Sequence, residues 1–251
     1  MAGWIREDGR DSRAVESLGS TVAFDALRQN QIDLYVDYSG TVWATIKREQ
    51  GLPESREVVL RKVGDWLEAE HEIGLVAALG FQNTYALGMR RAQAEELGVR
   101  TIADLRAVAP RLRIGGDFEF FSRAEWKAIA AAYDLRFQEE RSMDSALMYQ
   151  AVAAGEVDVI SAYSTDGRIP AFDLVLLEDD RGVIPPYDAI LLAGSRLREE
   201  SPDLVRSLAG LEGRIDEARM QKANYAVDEE GRSPREVGRA MREALAGAAA
   251  P

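Results

Sequence analysis

Four tyrosines in this chain stand where binding chemistry could be done. Tyr38 lies in Asp-Tyr-Ser-Gly-Thr, Tyr85 in Gln-Asn-Thr-Tyr-Ala-Leu, Tyr163 in Ala-Tyr-Ser-Thr-Asp-Gly and Tyr187 in Pro-Pro-Tyr-Asp-Ala. Each falls at the expected end of a strand or at a crossing between strands. Tyrosine rings that converge on one cleft form an aromatic box, and their negative faces attract a cation by about 0.5–2 kcal/mol per ring. A quaternary ammonium group has no N–H to donate, so rings rather than hydrogen bonds must hold it. The same spacing also suits half-buried core tyrosines, and spacing alone leaves both readings open. Tyr35, Tyr133, Tyr149 and Tyr225 fall inside elements and are assigned to packing.

Two of the four tyrosines belong to a fragment that occurs twice. Val22–Thr41 reads VAFDALRQNQIDLYVDYSGT, and Leu147–Asp166 reads LMYQAVAAGEVDVISAYSTD. Set 125 residues apart, they align Ala26 with Ala151, Asn30 with Gly155, Asp33 with Asp158, Tyr38 with Tyr163 and Ser39 with Ser164. Each copy reads as helix, turn, short buried strand, then Tyr-Ser at the strand's C-terminal end. Open α/β sheets bind ligands beyond the C-terminal ends of their strands. Two copies therefore imply two lobes, each offering a tyrosine to a shared cleft.

The elements that must carry these residues alternate between strand and helix, which makes the class α/β. Helices are expected at Val22–Gln29, with Asn30 as a left-handed C-terminal residue, at Tyr38–Lys47, at Arg56–Glu70 and at Arg123–Tyr133. Strands are expected at Ile32–Val36, Gly74–Leu79, Thr84–Met89, Leu112–Gly115, Phe137–Glu140, Phe172–Leu177 and Ile190–Ala193. Thr101-Ile-Ala-Asp104 and Ser233-Pro-Arg-Glu236 fit capping boxes, and Ser201-Pro202 marks a further helix start. The last third is helical. Two irregular segments, Leu79–Tyr85 and Val183–Tyr187, suit chain crossings between lobes. Residues 1–82 with 188–251 then form lobe one, and residues 83–187 form lobe two.

Composition excludes several classes. The 251 residues are 46% hydrophobic and 29% charged, with no apolar run long enough to span a membrane. A net charge of −12 argues against a nucleic-acid partner. The absence of cysteine removes disulfides, thiolate zinc sites and cysteine nucleophiles. The opening MAGWIREDGRDSR has no apolar core and is not a secretion signal; an export signal or anchor would lie outside this sequence. His71 is the only histidine and reads as a solvated helix end. No nucleophile elbow, phosphate loop or zinc-protease motif is present. Gly115-Gly116-Asp117 reads as a tight turn rather than an anion site, and Glu178-Asp179-Asp180 as a solvated turn rather than a cation site. Neither a catalytic constellation, a metal site nor a cofactor is expected.

Several stretches together resemble the substrate-binding proteins of osmoprotectant ABC importers, the glycine betaine, choline and carnitine receptors. They are Ile-Asp-Leu-Tyr-Val-Asp-Tyr-Ser-Gly-Thr (32–41), Gly-Phe-Gln-Asn-Thr-Tyr-Ala-Leu (80–87), Tyr-Ser-Thr-Asp-Gly-Arg-Ile (163–169), Leu-Glu-Asp-Asp-Arg-Gly (177–182), Pro-Pro-Tyr (185–187) and Met-Gln-Lys-Ala-Asn-Tyr (220–225). The resemblance runs from about Ser17 to Leu245. It implies a two-lobed, type II periplasmic-binding-protein fold with two interlobe crossings. It also implies a tyrosine cage of Tyr38, Tyr85, Tyr163 and Tyr187 for a quaternary-ammonium solute, with Thr41 and Arg123 sharing the ligand's carboxylate. The implied partner is an ABC permease, and the implied place is the periplasm or the extracytoplasmic face of the membrane. The family opens with a strand, a polar turn and a long helix, none of which precedes Ser17, so lobe one is expected to lack its first strand and helix. The alternatives are the same fold with another cation such as ergothioneine, or a ligand-sensing or enzymatic domain on the two-lobed scaffold.

Overall fold

A computed structural model describes residues 12–15, 18–49 and 55–247. The chain forms two compact units, Met1–Asn83 with Pro186–Pro251, and Thr84–Pro185. The divisions fall at Asn83/Thr84 and at Pro185/Pro186.

The first unit is built on a three-stranded antiparallel sheet. Its strands are β1 (Leu34–Tyr38), β2 (Gly74–Gln82) and β8 (Asp188–Ala193), in the order β1-β8-β2. All six residues of β8 are buried, because both faces of this central strand are covered. A strand covered on both faces loses the alternation of polar and apolar residues. Ile190 and Leu192 face one core, with Phe24, Leu27, Val59, Val63 and Leu67. Ala189 and Leu191 face the other, with Leu204, Leu208, Leu211 and Leu245. Helix Arg56–His71 buries Val59, Val63 and Leu67 at four-residue spacing. Its N-cap, Ser55 Oγ, accepts from the Val58 N–H at 3.4 Å. Among the described residues β1 pairs with β8 alone, and Val36 on it is 38% exposed.

The second unit holds a five-stranded sheet in the order β5-β4-β6-β3-β7. The strands are β3 (Tyr85–Arg90), β4 (Arg113–Gly116), β5 (Glu139–Ser142), β6 (Val159–Tyr163) and β7 (Leu174–Leu176). β4 runs parallel to β5 and β6, whereas β3 runs antiparallel to β6 and β7. Buried Leu87, Met89, Ile114, Ile129 and Val159 form one core. Met148, Val152, Val157, Ile160 and Ile169 form the other.

The duplicated fragment folds twice in the same way. Helix Ser20–Arg28 and strand β1 become helix Ser145–Ala153 and strand β6 on adding 125 to every boundary. Asn30 (φ 54°) and Gly155 (φ 74°) take the left-handed conformation at matching positions. The turn hydrogen bonds correspond too. Gln31 N–H donates to Ala26 O at 2.8 Å, and Glu156 N–H to Ala151 O at 2.9 Å. Asparagine and glycine are the residues that tolerate this conformation best.

Some boundaries differ from the sequence expectation. β1 begins at Leu34 rather than Ile32, because the turn that closes the preceding helix consumes Gln31–Asp33. β5 is Glu139–Ser142 rather than Phe137–Glu140. It is an outer, polar strand whose register is dictated by β4, with Arg113 opposite Glu139, and Phe137 instead packs on the aromatic core at Trp126. The expected helix Tyr38–Lys47 is a short turn, Ser39–Thr41, followed by a π-helix, Val42–Ile46. Both capping boxes form, at Thr101/Asp104 and at Ser233/Glu236.

Candidate functional site

The residues of interest fall into two groups, one on each unit. On the first unit, Tyr38 ends β1, Thr41 ends the short turn that follows, and Tyr187 immediately precedes β8. Tyr38 pairs with Ala189 in the β1–β8 register, which brings the two tyrosine-bearing segments side by side. Burial pushes the Tyr38 hydroxyl pKa up, an effect partly offset by its hydrogen bond with the Asn83 side chain. The Tyr187 main chain is held on both sides: its N–H donates to Gln82 Oε1 at 3.1 Å, and its carbonyl accepts from Asn83 N–H at 3.0 Å.

On the second unit, Tyr85 begins β3 and Tyr163 ends β6. They are direct partners in the antiparallel register. Their rings lie 4.8 Å apart at 35°, and the Tyr163 hydroxyl donates to Tyr85 Oη at 2.9 Å. Tyr163 is 43% exposed while Tyr85 is 8% exposed, so one ring is presented and the other backs it. Burial, and then the Tyr163 contact, drive the Tyr85 hydroxyl pKa far upward; it stays neutral at any physiological pH.

Arg123 joins this second group. It is the N-cap of helix Ala124–Tyr133, and its guanidinium carbon lies 5.6 Å from the Tyr85 ring centroid. One guanidinium nitrogen donates to Glu119 at 2.5 Å. Its Nε is buried without a hydrogen-bond partner among the described residues. A buried donor left unmade costs about 1–3 kcal/mol.

Sequence reasoning missed the aromatic bed behind Tyr85. Phe120 lies 5.6 Å from Tyr85, and Trp126 lies 5.2 Å from Phe120, with Phe121 against both. The run Phe118-Glu-Phe-Phe was the available signal. Asp117 closes the turn ahead of it by accepting the Glu119 and Phe120 N–H groups, which agrees with a tight turn at Gly115-Gly116-Asp117.

Two expectations are refined. His71 ends its helix, as expected, but is only partly exposed. Its ring packs edge-on against Trp66 (4.5 Å) and Phe24 (5.1 Å), and burial lowers its pKa. The acidic run 178–180 is exposed at Glu178 and Asp180, as expected of a solvated turn, and is hydrogen-bonded as well. Asp179 accepts from the Tyr133 hydroxyl and from Ile184 N–H, and Asp180 from Ala103 N–H. These carboxylates fasten the segment that leads to Tyr187. Among the described residues no group of three or more His, Cys, Asp and Glu could hold a metal ion, and no helix is long and apolar enough to cross a membrane.

Residues 2–243 match the family model described as the substrate-binding domain of ABC-type glycine betaine transport systems. A carnitine transport binding protein, OpuCC of Listeria monocytogenes, is 32% identical over 232 residues, covering 91% of this chain and 75% of that protein. The ergothioneine transport permease/ergothioneine binding protein EgtU of Helicobacter pylori (strain G27) is 29% identical over 221 residues. That match covers 88% of this chain, which spans only 39% of the relative's length. The crystal structure of a glycine betaine/carnitine/choline ABC transporter protein superposes with a TM-score of 0.90 at 28% identity, covering 98% of this chain and 91% of that one. The mixed α/β class with two sheets is that of the two-lobed binding proteins in this group.

Proposed function

This chain belongs to the substrate-binding domains of ABC-type glycine betaine transport systems, and from that premise we propose that it captures a quaternary-ammonium compatible solute and delivers it to a membrane permease. The ligand is a betaine, choline or carnitine type of molecule. Its trimethylammonium group is held by the faces of Tyr38, Tyr85, Tyr163 and Tyr187. Each ring contributes about 0.5–2 kcal/mol, more as water is excluded. Thr41 and Arg123 take the carboxylate where the ligand has one. The chain works as a binding protein rather than an enzyme, on the extracytoplasmic side of the membrane.

The observation that carries this reading is the Tyr85–Tyr163 pair. Two partnered rings, one exposed, with an unsatisfied guanidinium Nε beside them, form an aromatic face next to a cation. That combination suits a zwitterion carrying a quaternary amine and an acid. A second reading, ergothioneine, is favoured by the Helicobacter relative at similar identity. Ergothioneine also joins a trimethylammonium group to a carboxylate, so the same residues serve it.

Titration calorimetry with glycine betaine, choline, carnitine and ergothioneine decides between them. Saturable binding of at least one, weakened about 2- to 30-fold by Tyr→Ala at any of the four positions, is expected. Failure of all four ligands to bind, or loss of none of the affinity in the four variants, overturns the reading.

A further inference from the structure

The main chain at Tyr187 is held by hydrogen bonds on both sides. Its own N–H and carbonyl are bound by Gln82 and Asn83. The carbonyl before it, on Pro186, accepts from Ser39 Oγ at 3.3 Å, and the N–H after it, on Asp188, donates to the same oxygen at 3.0 Å. The Asp188 side chain is buried and paired with Arg56. The main chain around Tyr187 therefore has little room to yield.

The ring itself lies on the turn residue Gly40. A methyl group placed on Gly40 would stand 2.7 Å from both Cδ1 and Cε1 of Tyr187, and 2.8 Å from the Pro186 carbonyl oxygen. Ordinary carbon contacts are about 3.5–4.0 Å. Gly40 sits in the helical turn Ser39–Thr41, a conformation in which alanine is preferred to glycine. The glycine is thus not demanded by its own backbone. It is demanded by what lies against it, the Tyr187 ring and the Pro186 carbonyl oxygen.

We propose that Gly40 is a positioning and specificity-determining residue, whose absent side chain is the seat of the Tyr187 ring and sets where that ring meets the ligand's ammonium group. The inference rests on the reading of Tyr187 as a ligand-binding ring. Any side chain at position 40 pushes the ring by roughly an ångström, about the difference between the built and ordinary contacts. A site that holds its ligand by ring faces tolerates displacements of only about half that.

The test is a double-mutant cycle on the full chain, with glycine betaine and ergothioneine as probes. G40A is expected to weaken binding about as much as Y187A, between 2- and 30-fold. In the Y187A background, where the ring contact is gone and the Pro186 carbonyl oxygen alone still meets the methyl, G40A is expected to change affinity much less than it does in the wild-type chain. A G40A loss of equal size with and without the Tyr187 ring overturns the proposal, since Gly40 would then act through something else. A second measurement needs no ligand. With fluorotyrosine incorporated, the 19F signal that vanishes in Y187A identifies Tyr187, and G40A should shift that signal ahead of the other tyrosines. An unmoved signal also overturns the proposal. A shifted signal in G40A, together with a wild-type chain that binds neither probe, would keep the seat and refute the ligand reading, so the two failures are separable. Should G40A fold poorly, the drop in melting temperature that G40A causes should be smaller in the Y187A background than in the wild-type chain; an equal drop would show that the methyl strikes the Pro186 carbonyl rather than the ring, and overturns the proposal.

Discussion

Removing the Arg123 guanidinium should separate ligands by whether they carry a carboxylate. Arg123 stands 5.6 Å from the Tyr85 ring with its Nε buried and unpaired. A carboxylate placed there gains a charge-assisted hydrogen bond worth about 1.5–3 kcal/mol. At about 1.4 kcal/mol per tenfold change, R123A should weaken glycine betaine or carnitine roughly 10- to 150-fold. Choline offers no carboxylate, and its affinity should stay within about threefold. Among the described residues its ion-pair partner is Glu119, in a pair whose side chains are 40% and 73% exposed, and its guanidinium also lies over the Tyr85 ring. Exposed pairs contribute about 0.2–1 kcal/mol, so the melting temperature should hardly move. R123K keeps the charge but not the planar fork, and should fall between wild type and R123A for the carboxylate ligands. Calorimetry with glycine betaine and choline on the three proteins measures all of this. An equal loss for both ligands would refute the argument, because it would place Arg123 behind the rings rather than on the carboxylate.

Two buried aspartates should respond to pH with opposite signs. Burial pushes the Asp37 pKa up, and the hydrogen bonds from Tyr38 N–H, Tyr35 and Ser20 offset this only in part. Its stabilising contribution is present below the ordinary aspartate pKa of about 3.9 and is lost as pH rises through the folded value. D37N should therefore gain on wild type as pH climbs from 3.5 to 7 in urea melts; a wild type that gains on D37N would sink the assignment. Asp158 is also pushed up by burial, but hydrogen bonds from Arg113 N–H, the Gln93 amide and the Arg113 side chain outweigh this and hold it below the usual range. Its contribution is present at neutral pH and lost as pH falls through the folded value. D158N should cost about 1.5–3 kcal/mol at pH 7, with the gap closing below about pH 4; a gap that widens in acid contradicts it.

Much of the fold was legible because it is written in short-range chemistry. The helix–turn–strand repeat needs only an apolar helical face, an asparagine or glycine able to turn left-handed, and a short apolar strand. All of these lie within twenty residues of one another, and the 125-residue shift carries over unchanged into the structure. The two capping boxes rest on contacts three residues apart and were equally plain. The tyrosine positions and the family resemblance also came from local motifs.

What the sequence could not supply was pairing between distant segments. Tyr85 and Tyr163 are 78 residues apart, and their hydroxyl contact exists only because β3 and β6 choose one antiparallel register. Ser39 and Pro186 are 147 residues apart, and the space that Gly40 leaves for Tyr187 appears only once β1 and β8 lie side by side. His71 looked fully solvated because local polarity is visible in a sequence and a distant partner such as the Phe24 ring is not. Helix faces, caps and turns follow from interactions within a few residues. Register and side-chain packing follow from the summed burial of whole strands and helices, so only the tertiary structure decides which rings meet.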